Sequence, residues 1–306
     1  MKAAYIQKFD GPQGLTYGDL PDPVPGPGQV LVDVHAASIN AADWKVTQGE
    51  YKQSQFPLII GRDFSGVVGA VGSGVSDLKV GDEVFGVLEG GRDGTYCEKL
   101  VVGAAIIAKK PASMGHVEAA ALALTGLTAL CAIEDCLKLK SGETILIQGG
   151  AGGVASFAIQ VAKHIGARVI TTASAGNAAY LKELGADQVI DYKTTDFTQA
   201  VKNIDAAFDT VGDDVAMRTF QVLKPGGRAA FIASGGQAPK SPRADVQSLR
   251  PAVGRDRPHL ERILDLRKSG AVRAPHVTLY DLPKAREALT VSAARHLKGK
   301  LVLKVR

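Results

Sequence analysis

The sequence predicts an α/β protein: a doubly wound parallel sheet joined to a β-rich, partly closed antiparallel barrel. Three observations carry this. Residues 144–148 read Thr-Ile-Leu-Ile-Gln, a short buried strand, and Gly149, Gly150, Gly152 and Gly153 follow within five positions. From Ser141 onward strand-like and helix-like segments alternate, as parallel strands with right-handed crossovers do. Residues 1–118 instead hold many short strand-like runs between frequent turns, the pattern of an antiparallel barrel.

Taken in order, residues 21–28 are proline- and glycine-rich and exclude helix or central strand. Residues 30–36, 66–72, 83–88 and 95–102 read as strands. Two loop-like segments interrupt them, residues 38–51 and residues 61–66, and both mix ionisable with apolar side chains. Sites concentrate on such loops. Asn40 and Asp43 equally suit the cap of a short helix, with Trp44, the only tryptophan, as a core anchor. Residues 119–133 form an alanine-rich apolar run. After the strand at 144–148 comes a helix at 154–165, then strands at 168–172, 188–192 and 206–209. A helix at 178–184 stops at Gly185, and another at 213–223 stops before Pro225-Gly226-Gly227. Residues 228–233 are a fifth strand. Residues 243–257 read as an irregular loop rich in proline and arginine, a solvated surface segment, a flap or an oligomer contact. An amphipathic helix at 258–269 and strands at 274–280 and 300–305 close the chain.

Composition bounds the function. A 306-residue chain with 45% hydrophobic and 22% charged residues has room for two cored domains. Lys and Arg exceed Asp and Glu by 36 − 31 = 5, a mild excess that suits an anionic ligand and not a nucleic-acid footprint. Cys97, Cys131 and Cys136 are odd in number and form no C-x-x-C, which fits a reducing compartment. The N-terminus lacks a signal-peptide apolar core, and the run at 119–133 is too short for a bilayer. A cytoplasmic protein with no membrane partner is expected.

The strand, glycine turn and helix at 144–156 make an anion site. First-turn N–H groups lack helical partners, and the helix dipole adds positive charge there. Gly150-x-Gly152-x-x-Ala155 fits the dinucleotide fingerprint, so Gly149, Gly150, Ala151, Gly152, Gly153 and Val154 are the candidate pyrophosphate contacts. An acid about 20 residues on would accept the ribose hydroxyls of NAD, but the second strand ends Thr172-Ala173-Ser174. That absence favours NADPH, with Ser174 as a donor to the extra phosphate.

Asn40-Ala41-Ala42-Asp43-Trp44-Lys45, Gly61-Arg62-Asp63-Phe64-Ser65-Gly66, Thr125-Gly126-Leu127-Thr128-Ala129-Leu130, Gly150-Ala151-Gly152-Gly153-Val154 and Leu297-Lys298-Gly299-Lys300-Leu301-Val302 occur in that order. The ordered set resembles the zinc-independent, zeta-crystallin-like quinone oxidoreductases of the medium-chain dehydrogenase/reductase superfamily. The resemblance implies a Rossmann dinucleotide-binding domain over 119–265 and a GroES-like catalytic domain over 1–118, completed by 266–306. Thr125 would then stand near a cleft, and the family commonly forms homodimers through sheet edges. It also implies Tyr192 beside the adenosine phosphate, Asn177 near a position where relatives carry lysine, and Arg295 as a remote charge.

Zinc relatives hold the metal with a cysteine, where this sequence has Asn40, and a histidine, where it has Arg62. Neither amide nor guanidinium is a normal zinc ligand, so no metal is expected. Six histidines, His296 among them, form no i, i+4 pair. The implied reaction is hydride transfer from NADPH to a quinone or related electron-poor carbonyl compound, with donors stabilising the negative charge. Asn40 and Lys45 are the candidate donors. Tyr51 is similar to the proton-donating tyrosine of related enoyl-thioester reductases, and also suits simple packing. Asp43, taken as exposed and ionised, orients its neighbours. A reductase of alkenal, enone or enoyl-thioester C=C bonds is the alternative, and an NADPH-binding protein with little turnover the second. Tyr51→Phe separates the first two, since it should cut C=C reduction and spare quinones. The acceptor's shape would depend on loops 50–57 and 235–253.

Overall fold

The computed structural model describes residues 1–51, 55–295 and 297–306. Lys52, Gln53 and Ser54 of the 50–57 loop, and His296, lie outside the described residues. The chain divides into two compact units, Met1–Leu124 with Arg255–Leu264 and Ala274–Arg306, and Thr125–Gly254 with Asp265–Arg273.

The first unit begins with β1 (Lys2–Ile6), β2 (Thr16–Asp19), β3 (Gln29–Ile39), α1 (Ala41–Thr47), β4 (Leu58–Ile59), β5 (Asp63–Val71), β6 (Glu83–Val87), β7 (Lys99–Gly103) and β8 (Ala108–Lys109). β3 is the hub. It pairs antiparallel with β5 and with β7, and its two register shifts against β5 bend the sheet. Gly66 of β5 stands where the strands approach closely, since a Cβ there would lie 2.2 Å from the Asp33 carbonyl oxygen. β2, β1 and β4 form a separate antiparallel sheet. Val30, Val32, Val34, Phe64, Val84 and Val102 fill one core of the unit, and Ile39, Trp44, Val46, Ile60 and Leu301 another. Trp44 is thus a core anchor.

The helix α2 (His116–Leu130) continues as a π-helical turn through Cys136, a run of 21 residues. This corrects the length argument made from residues 119–133, because the helix is long and apolar enough to cross a membrane by length and composition. Its most apolar window is 72% buried within the protein, as a core helix that is hydrophobic on all sides should be.

The second unit runs β9 (Thr144–Gln148), α3 (Gly153–Ile165), β10 (Arg168–Ala173), α4 (Ala178–Glu183), β11 (Gln188–Asp191), α5 (Phe197–Ala200), β12 (Ile204–Asp209), α6 (Asp213–Thr219), β13 (Leu223–Phe231) and β14 (Gln247–Leu249). All five pairings are parallel, in the order β11-β10-β9-β12-β13-β14. Strand order reverses between β9 and β12, the switch point at which such sheets bind ligands. Two expectations fail here. Pro225-Gly226-Gly227 does not precede the fifth strand but lies inside it. Pairing jumps from Ile204–Leu223 to Ala206–Arg228, so these residues loop out where no ladder hydrogen bond is required. The segment at 243–257 contains a sixth strand, β14, too short to show a period.

The chain ends with α7 (Arg257–Lys268), β15 (Val277–Asp281), α8 (Ala285–Ala293) and β16 (Lys300–Lys304). β16 pairs antiparallel with β3 and parallel with β15, which completes the first unit's larger sheet. Gly299 is required there, because its φ is +74° and a Cβ would lie 1.9 Å from the His276 carbonyl oxygen.

Candidate active site

In the second unit the glycine turn sits at the carboxyl end of β9. Gly149 donates to Thr172 Oγ1 at 3.1 Å and Gly150 to the Thr172 carbonyl at 2.9 Å, so β10 anchors the turn. Gly150 has no room for a side chain, because a Cβ would lie 2.2 Å from Thr171 Oγ1. Gly152 differs. It has ordinary extended dihedrals, and a Cβ there would meet only the Gly149 carbonyl, at 3.4 Å. The turn therefore leaves open the space that an added side chain would fill, in front of the α3 N-terminus. That is the cradle a pyrophosphate needs, and the residues fit a dinucleotide. Ala151 lines the turn, and Val154 lies in the first turn of α3. Ser174 follows β10 and accepts from Asn177 Nδ2 at 3.1 Å. Tyr192 follows β11, half-exposed, with its N–H on the Ala173 carbonyl. The structure thus brings Ser174, Asn177 and Tyr192 to the same sheet edge as the glycine turn. Thr125, also of the second unit, is buried, and its hydroxyl lacks a hydrogen-bond partner among the described residues. Arg295 belongs to the first unit, exposed after α8.

In the first unit the two segments expected as loops are mostly regular structure, the end of β3, α1 and the start of β5, and they converge on a buried charged cluster. Asn40 caps α1. Its N–H donates to Asp43 Oδ2 at 2.7 Å, and its carbonyl accepts from the Asp43 N–H at 3.0 Å. Its side chain points to β5 and β16. Nδ2 donates to Asp63 Oδ1 at 2.9 Å and more weakly to the Ser38 carbonyl at 3.4 Å, while Oδ1 accepts from Lys300 Nζ at 2.6 Å. Lys300 also donates to the Ile39 carbonyl at 2.8 Å. Burial pushes the Lys300 ammonium down, against the pull of Asp63 and Asp43. Burial pushes Asp63 up, against Lys300, Ser38, Asn40 and the Leu124 N–H.

Asp43 is not exposed. It is 0% accessible, and burial pushes its carboxyl up to about 7 against the opposing charge of Arg62. The expectation of an ionised surface aspartate is therefore corrected: α1 turns this side chain inward, onto the Tyr96 hydroxyl, which donates to it at 2.6 Å. Arg62 donates through Nε to Asp93 at 3.0 Å, and its guanidinium carbon lies 4.7 Å from the centre of the Tyr51 ring. Tyr51 is 39% exposed, so its ring rests on a buried cation with one side open. Lys45 pairs with Glu50 at 3.4 Å and lies 5.5 Å from the Trp44 ring centre.

Sequence reasoning missed Lys300, Tyr96, Asp93 and Arg255 as members of this cluster. Lys300 alone left a signal, a charge at the head of the apolar run Leu301-Val302-Leu303. Asp93 and Tyr96 share the connection between β6 and β7, and Arg255 comes from a segment far along the chain that only folding brings to them.

Residues 26–115 match the alcohol dehydrogenase GroES-like domain, and residues 184–303 match the zinc-binding dehydrogenase family. A chloroplast envelope quinone oxidoreductase homolog of Arabidopsis thaliana is 32% identical over 311 residues, 96% of this chain and 94% of that protein. The structure of a quinone oxidoreductase from Coxiella burnetii is 33% identical with a TM-score of 0.90, covering 100% of this chain and 99% of that one. An Escherichia coli quinone oxidoreductase complexed with NADPH is 26% identical, with a TM-score of 0.91 over 100% of both chains. A GroES-like unit, a doubly wound parallel sheet and full-length similarity place the assignment beyond any single motif. The chain belongs to the quinone oxidoreductases of the medium-chain dehydrogenase/reductase superfamily.

Proposed function

We propose that this enzyme reduces quinones with NADPH and without a metal ion. The observation that carries the metal-free reading is the hold on Asn40. At the position of a zinc-binding cysteine, its amide lies between the Lys300 ammonium and the Asp63 carboxylate. A protein cation already faces that side chain, and neither Asn40 nor Arg62 offers a zinc ligand.

NADPH, when bound, supplies the hydride. The glycine turn and the α3 N-terminus hold its pyrophosphate, and Ser174, Asn177 and Tyr192 receive the phosphorylated ribose with no carboxylate among them. Lys300 and Asp63 fix the Asn40 amide. Its long contact to Ser38 leaves that N–H available to an acceptor oxygen. Arg62 steadies the Tyr51 ring, which would donate the proton in C=C reduction and is not needed for quinones. Lys45 and Thr125 serve the acceptor as further donors, and Arg295 adds positive charge for the cofactor. The barrel unit is the catalytic domain and the parallel-sheet unit the nucleotide-binding domain. A homodimer joined at a sheet edge and a cytoplasmic setting, which the three free cysteines suit, complete the reading.

The test is loss of NADPH absorbance, run against NADH, with benzoquinone, phenanthrenequinone and an α,β-unsaturated aldehyde side by side after chelator treatment. Turnover of the quinones with NADPH, unaffected by chelation, is expected. Turnover of the aldehyde alone would move the enzyme to C=C reduction. Loss of activity on chelation would overturn the metal-free reading.

A further inference from the structure

Arg255 is a half-buried arginine that makes no ion pair among the described residues. Its Nη1 donates to the carbonyls of Leu88 and Glu89 at 2.8 and 2.7 Å. Among the described residues no carboxylate stands within ion-pair distance, and Nε and Nη2 carry no hydrogen bond. Its neighbour Arg257 shows the contrast, because it pairs with Asp77 as well as with backbone carbonyls. Leu88 links Arg255 to the acceptor cluster through its own N–H, which donates to the Arg62 carbonyl at 2.8 Å.

Around it, Arg62 pairs with Asp93 at 3.0 Å and lies 3.9 Å from Asp43, and the Asn40 amide bridges Asp63 to Lys300. Burial lowers the Arg255 guanidinium from its ordinary range and the Arg62 charge lowers it further, while Asp93, Asp63 and Asp43 act more weakly in the opposite sense. A half-buried guanidinium with N–H donors to spare, in reach of a second cation's field, costs the fold free energy that a bound anion would offset. A planar fork of donors beside a second one suits carboxylate, sulfonate or phosphate oxygens.

We propose that Arg255 and Arg62 form an anion subsite, and that the acceptor is a quinone or dicarbonyl compound carrying a fixed anionic group. The proposal rests on the quinone reductase reading and narrows its substrate class.

Naphthoquinone and naphthoquinone sulfonate are the probes, since they share a ring and differ in fixed charge. Their kcat/KM ratio is measured for the wild type, Arg255→Gln, Arg255→Lys and the surface control Lys8→Met. Comparing each ratio with that of the wild type cancels the intrinsic reactivity of the two quinones. In Arg255→Gln the ratio of anionic to neutral acceptor should fall about tenfold or more, through KM. Arg255→Lys should restore part of it, and Lys8→Met should leave it unchanged. An unchanged ratio in Arg255→Gln, or an equal fall in Lys8→Met, overturns the subsite. If neither quinone is turned over, the quinone reductase reading fails by itself, and direct calorimetric binding of the sulfonate decides the subsite. Binding that weakens in Arg255→Gln supports it, and no binding to the wild type overturns it. Should Arg255→Gln not fold, the wild-type ratio is measured against ionic strength. A preference for the sulfonate that fades with salt supports the subsite, and a salt-independent ratio overturns it.

Discussion

Asp43 shows what burial does to a single carboxyl. Its folded value near 7 lies above its ordinary 3.8, so the native state keeps a proton that the unfolded chain releases between those pH values. The stability it contributes is therefore present below about pH 4 and is lost as pH rises toward 7. Wild type should lose stability relative to Asp43→Asn across that window, read as the difference in urea midpoints. A difference that stays flat with pH would show Asp43 ionised throughout. Asp63 is also raised, but it is common to both proteins and cancels in the difference. Lys300→Met should destabilise the fold, because buried Asp63 then loses the cation that the Asn40 amide bridges to it. The loss should be smaller than the ~3–5 kcal/mol of a broken direct buried pair, since Asp63 keeps its hydrogen bonds; denaturant unfolding measures it, and adding Asp63→Asn should recover part of it. None of this was legible in the residues themselves. Asp43 in a polar run reads as exposed, and only the inward turn of α1 onto Tyr96 makes it buried.

The glycine turn makes an element-scale prediction, because two glycines that look alike in sequence do different work. Gly150→Ala pushes a methyl against Thr171 on β10, so it should lower stability by about 1–3 kcal/mol. Gly152→Ala meets only ordinary contact and should leave the melting temperature near wild type while weakening NADPH binding about tenfold or more. Equal effects on both readouts would remove the distinction. The regular elements here were legible, and β9 runs Thr144–Gln148 as the pattern implied. A buried strand of β-branched residues before glycines has few alternatives. The misses were elements that local pattern does not specify. β14 is three residues long and owes its existence to β13, while α2 gains its last turn from a π-helix that no period announces.

At the scale of the whole molecule, a ligand that binds only the folded state stabilises it by mass action. NADPH at about 100 times its Kd should add about 2.7 kcal/mol, and NADH at the same concentration clearly less. Equal thermal shifts for both cofactors would defeat the argument from the missing acid after β10. By itself the sequence determined the fold class, the strand–glycine turn–helix order of β9 to α3, and the amide and guanidinium that stand at Asn40 and Arg62. Each is local: period, turn chemistry and side-chain type are carried by adjacent residues. Only the tertiary structure decided what stands around Asn40. Lys300 is 260 residues away, and it reaches the amide because β16 pairs with β3 and Gly299 lets the chain enter that strand. Arg62 over Tyr51, Tyr96 on Asp43 and Arg255 beside Arg62 have the same origin. Burial and the meeting of distant charges arise from the packing of strands, and no short stretch of sequence encodes them.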